Sequence, residues 1–143
     1  HEARHAEQSF LMARLLRARG KSAAEIAEEM SIPARIATQA AGKPLRLGTP
    51  EAVLAQGLFD ETYGASAGHT AQVYAVLAKR DGEYKRALAA RDKNPTPEND
   101  AKLQAAFDRL QKAQDDYENL VGESDAFHVG GQAKAEFQKG GTP

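Results

Sequence analysis

The sequence predicts an all-α fold, and three observations carry that expectation. No stretch of β-branched residues alternates with polar ones over a useful length, and no Asn-Gly or Asp-Gly pair offers a tight hairpin turn. Alanine supplies much of the 41% hydrophobic content, which suits a thin core between closely packed helices. Ser and Thr recur just ahead of acidic residues, the pattern that starts helices.

Taken in order, the first helix runs from the start to about Arg19, with Phe10, Leu11, Leu15 and Leu16 on one side. Gly20 is its stop, because glycine readily takes the left-handed conformation that ends a helix. Ser22 and Glu25 form a capping box that opens a short helix through Met30. Pro33 suits the first turn of a third helix ending near Gly42, and residues 43–48 form a loop. Thr49, Pro50 and Glu51 open a fourth helix with a cap, a preset φ and an acid at the positive end of the dipole. It carries Val53, Leu54, Leu58 and Phe59, then fades by Gly64. Residues 64–68 read as a small-residue hinge.

A long helix follows from about Thr70 to Arg91, burying Val73, Val76, Leu77, Tyr84 and Leu88. Asn94–Pro97 breaks it, and Thr96-Pro97-Glu98 starts the next. There Leu103, Phe107, Leu110, Ala113, Tyr117 and Leu120 keep a spacing of three or four, so the two long helices read as an antiparallel hairpin. A last short helix begins near Glu123. The expected organisation is one helical domain: a three-helix unit over 1–48, a hairpin region over 49–138 and a frayed tail over 139–143.

Charge narrows the function classes. Nineteen basic residues face 20 acidic ones, a net charge of −1 that creates no global field for nucleic acid or an anionic membrane. No apolar run approaches the roughly 18 residues of a spanning helix. The absence of cysteine excludes a disulfide scaffold, thiol catalysis and a cysteine-ligated zinc.

One pentapeptide carries chemistry: His1-Glu2-Ala3-Arg4-His5, an H-E-x-x-H. On a helix the two imidazoles lie on one face a turn apart, so both can grip one zinc ion. Glu2 then stands where a general base is needed, and zinc supplies an acidified water and a polarised carbonyl. The plain alternative is an inert pentapeptide on a solvated helix, in a purely structural module.

The motif resembles that of the zincin metallopeptidases, which implies His1 and His5 as zinc ligands and Glu2 as base. The segment after it lacks the glycine and third histidine of metzincins, so the third ligand must come from elsewhere. Glu123-Ser124-Asp125-Ala126 resembles the E-x-D-A element of some gluzincin-type domains, peptidase-like domains of bacterial secreted toxins among them. That resemblance implies Glu123 as third ligand, with Asp125 orienting a histidine, and a secreted or delivered effector acting on a peptide or protein. Asp60-Glu61-Thr62-Tyr63-Gly64 partly resembles an aspzincin element, departing at Leu58, which makes Asp60 a second candidate. His69 is the third. For either acid the plain reading is a carboxylate favoured near a helix start. Zincins place a β-sheet ahead of this helix, so the chain reads as part of a larger polypeptide whose upstream portion is a partner.

Residues 21–43 resemble a helix-turn-helix of the bacterial regulator kind. Ala27 is the small residue at the crossing, and Ile26, Ile32 and Ile36 form the seam. The resemblance implies Arg35, Thr38 and Gln39 facing DNA bases, with Lys21, Lys43 and Arg46 on phosphates. Glu25, Glu28 and Glu29 crowd the neighbouring helix, so packing is the plainer role. The basic cluster of Arg14, Arg17, Arg19 and Lys21 reads as a solvated helix face.

Overall fold

The structure, a computed structural model, describes residues 2–140, and side chains through residue 136. Among the described residues every regular element is an α-helix: α1 (Glu2–Ala18), α2 (Ala23–Met30), α3 (Ala34–Ala41), α4 (Pro50–Thr62), α5 (Ala67–Lys93), α6 (Pro97–Glu118) and α7 (Val121–Gly140). The all-α expectation holds. The chain divides into two compact units, one from residues 1–67 and 121–143, the other from residues 68–120.

The first unit is organised around α1. Met12, Ala13 and Leu16 pack with Ile26 and Met30 of α2, Ala37 and Ala40 of α3, and Leu58 of α4. Leu11 and Leu15 pack with Leu45 of the α3–α4 connection and with Ala52 and Ala55 of α4. The side predicted for α1 was therefore too narrow, since a central helix is covered from more than one direction. Alanines at the crossings leave little side chain between backbones, so the helices approach closely.

The caps form as read from the sequence. Ser22 N–H donates to Glu25 Oε2 at 2.7 Å, and Glu25 N–H donates to Ser22 Oγ at 3.3 Å. That box holds the Glu25 carboxyl below its usual range, through the Ser22 backbone hydrogen bond first and the hydroxyl second. Thr49 accepts from Ala52 N–H and Thr96 from Asn99 N–H, with Pro50 and Pro97 at the helix starts. Pro33 occupies the N-cap position of α3, one step earlier than read, without a side-chain capping bond. Between α2 and α3, Ser31 takes the left-handed conformation at φ 53° and makes the tight turn.

Two segments differ from the reading. The hinge at 64–68 is shorter than expected, because α5 begins at Ala67 and absorbs Gly68. Gly64 is held by contact: a Cβ there would stand 2.8 Å from the Asp60 backbone. The last helix starts at Val121 and continues through Gly130 and Gly131 to Gly140. Of the expected tail, residues 141–143 lie outside the described residues, as does His1.

The second unit is the predicted hairpin. Tyr74 stacks edge-on with Tyr117 and Tyr84 packs on Phe107, while Glu83 pairs with Arg109 and Arg91 with Asp100. In every pair the rise along α5 matches a fall along α6, which is antiparallel packing. Of the α5 residues expected inside, Val73 is buried whereas Val76 is exposed and Leu77, Tyr84 and Leu88 are half-buried. Two helices cover only one stripe of each other, so the burial is correspondingly thin.

Candidate metal centre

Helix α1 brings the motif to the contact with α7. His5 and Gln8, three residues apart, share a face of α1. Opposite them, the first five residues of α7 include Gly122, Glu123 and Asp125. The start of α7 is anchored from α4, where the Glu61 carboxylate accepts from Val121 N–H at 2.6 Å and from Gly122 N–H at 3.1 Å. Glu61 thus serves as a distant cap, satisfying donors that a local Ser or Thr would otherwise take. Gly57 permits the close approach: a Cβ there would lie 3.3 Å from the Val121 side chain.

Glu123 is only 4% exposed, and its Oε2 stands 3.5 Å from His5 Nε2. On its other side the imidazole Nδ1 lies 2.8 Å from Gln8 Oε1. Gln8, itself 4% exposed, donates through Nε2 to Gly122 O at 2.8 Å and to Asp125 Oδ2 at 2.7 Å. Arg4 closes the network, donating from Nε to Asp125 Oδ2 at 2.8 Å and from Nη2 to Oδ1 at 3.2 Å, with Nη1 reaching Glu7 at 2.7 Å. Burial by itself pushes the Asp125 carboxyl up, but hydrogen bonds from Arg4 and Gln8 hold it below its usual range. The same contacts raise the Arg4 guanidinium, Asp125 first and Glu7 second.

Of the three third-ligand candidates, Glu123 is the one that meets His5. Asp60 is turned along its own helix, accepting from Gln56 Nε2 at 2.8 Å. His69 belongs to the second unit, beside Gln72, Val73 and Asp116 in a recess between α5 and α6. Glu2 is exposed in the first turn of α1. His1 lies outside the described residues. Among the described residues, no three His, Asp or Glu side chains gather closely enough to hold a metal ion by themselves.

The expected role of Asp125 needs correction. It does not bond the imidazole directly; Gln8 does, with Asp125 one step behind. Residues i and i+2 project about 200° apart on a helix, so Glu123 and Asp125 cannot both face one ring. Sequence reasoning also missed Gln8 and Glu61. The signals available were the spacing of Gln8 from His5, and the adjacency of Glu61 to Asp60.

In the helix-turn-helix segment Ile26 is fully buried, while Ala27, Ile32 and Ile36 are half-buried, and Arg35, Thr38 and Gln39 are exposed. Lys21 is paired with Glu29 at 3.2 Å. The basic cluster is partly engaged, as Arg14 donates to Lys43 O and Glu51, and Arg17 to Lys21 O. No helix among the described residues is long and apolar enough to cross a membrane. Comparison with known families, curated proteins and solved structures gives no match.

Proposed function

We propose that this chain is a zinc-dependent peptide-bond hydrolase, with His1, His5 and Glu123 as ligands and Glu2 as general base. One observation carries the reading: a buried carboxylate from α7 arrives 3.5 Å from the Nε2 of the motif's second histidine. A charge-assisted N–H···O bond is shorter, at about 2.7–2.9 Å. Neighbouring donors around a tetrahedral zinc, by contrast, stand about 3.4 Å apart when bonds to nitrogen and oxygen are about 2.0–2.2 Å. The donor set also suits zinc, since imidazole and carboxylate in a two-to-one ratio leave a fourth position for water.

When bound, the ion supplies an acidified water and a polarised carbonyl. The chain supplies the rest. Glu2 takes a proton from the water onto its carboxylate and passes it to the leaving amine nitrogen, so protons balance over the cycle. Glu123 brings a fixed negative charge from a sequence-distant helix, so the site is complete only with α7 docked. Beside Arg4, a recess of about 440 Å³ along α1 and α4, lined by Phe10, Leu11 and Leu54 together with Glu7, Arg14 and Glu51, offers room for a side chain of a peptide.

The test is elemental analysis of the purified full-length protein, joined to a peptide-cleavage assay. About one equivalent of zinc per chain is expected, with cleavage lost on chelation and restored by zinc. A zinc-free protein that takes up none on addition overturns the reading.

A second reading rests on the exposed Arg35, Thr38 and Gln39 of α3 behind a tight turn. It makes the first three helices a DNA-binding or adaptor module. Salt-dependent retardation of duplex DNA, lost in Arg35→Ala, would favour it over hydrolysis.

A further inference from the structure

We infer that Gln8 is a positioning residue that locks His5 in the tautomer carrying its proton on Nδ1, and thereby leaves Nε2, 3.5 Å from the Glu123 carboxylate, as the lone-pair nitrogen. The inference rests on the metal-site reading for its purpose, but its argument is geometric and independent of any ion.

Gln8 Nε2 lies 2.8 Å from the Gly122 carbonyl oxygen and 2.7 Å from Asp125 Oδ2. A carbonyl oxygen accepts and never donates, so the Gln8 atom facing it is the NH₂ nitrogen and not the amide oxygen. Its two hydrogens match the two acceptors. Asp125 is in turn fixed by two contacts from Arg4. The amide therefore cannot turn over without breaking its bonds to α7.

With the nitrogen so placed, Oε1 is the atom left to face His5, 2.8 Å from Nδ1. An amide oxygen only accepts, so Nδ1 must carry the hydrogen. In the neutral ring Nε2 is then the lone-pair nitrogen, and it stands 3.5 Å from Glu123 Oε2. Metal-ligating histidines usually have the second nitrogen held by a carboxylate, carbonyl or water. Here a neutral side-chain amide holds it, and the orientation of that amide is dictated by α7. Docking of α7 thus both delivers Glu123 and sets the proton on His5.

Two-bond ¹H–¹⁵N correlation spectra of the metal-free full chain, above the titration range of imidazole, read the tautomer of each histidine directly. Loss of one ring's signals in His5→Asn assigns His5. We expect Nδ1 of His5 to resonate as the protonated, pyrrole-type nitrogen and Nε2 as the pyridine-type one. In folded Gln8→Leu the pattern should move toward the Nε2–H form that histidine prefers in water, and zinc affinity should fall by about 10- to 100-fold. The wild-type spectrum decides by itself if Gln8→Leu fails to fold. A wild-type His5 protonated on Nε2, or an unchanged pattern in folded Gln8→Leu, overturns the inference. A locked Nδ1–H tautomer in a chain that binds no zinc sinks the metal reading while leaving the lock in place.

Discussion

Glu2→Gln is expected to leave zinc uptake unchanged and to cut peptide hydrolysis by about 10²- to 10⁴-fold, the usual contribution of a positioned general base. The amide keeps the size of the carboxylate but accepts no proton at neutral pH. It is not in the ligand set, so metal content should stay at the wild-type level. The fold should survive as well. Glu2 is exposed in the first turn of α1, and losing a favourable charge at a helix N-terminus costs only about 0.3–1 kcal/mol. Zinc analysis, thermal melting and a cleavage assay on one preparation separate these effects. Wild-type activity in the variant would remove Glu2 from the mechanism.

Ile26→Ala is expected to have the largest effect on stability, about 2–5 kcal/mol. Ile26 is fully buried where α1, α2, α3 and α4 converge, so its loss opens a cavity among helices that cannot simply slide together. Its partners include Ala13, Ala37 and Ala40, all without measurable exposure, and alanines have no longer side chain to rotate into the gap. Val53→Ala in α4 is the control. Val53 is 68% exposed, and a surface change of that kind stays within about 0.5 kcal/mol. Urea titrations compare the two, and similar midpoints for both variants would refute this account of the core.

What the sequence made legible was local. Ser22, Thr49 and Thr96 signalled helix starts because a cap is a contact between residues three apart, and each cap is present. The hairpin was legible for the same reason, its seam being a period of three or four along each helix. The extent of burial was not. Val76 follows the apolar period of α5 yet is exposed, since one partner helix covers one stripe. The length of α7 was not legible either: a last helix read as short runs through Gly130 and Gly131 to Gly140, because glycine weakens a helix without forbidding it.

In the candidate site the division is sharper. The H-E-x-x-H spacing and the Glu123 segment were readable as motifs, each within a few residues. The network joining them was not, because Arg4 and Gln8 meet Asp125 across 121 and 117 residues of sequence. Nothing in a local pattern shows that the side chain between ligand and acid is an amide, or that α4 holds the end of α7 through Glu61.

The most direct measurement is zinc K-edge X-ray absorption on the full chain loaded with one equivalent of zinc, in wild type and in Glu123→Gln. The account predicts a shell of nitrogen and oxygen donors, with the outer scattering of two imidazoles and a carboxylate contribution that disappears in the variant. It also predicts a zinc affinity at least about tenfold weaker in Glu123→Gln. An identical spectrum and affinity in the two proteins would contradict it, as would a chain that retains no zinc at all.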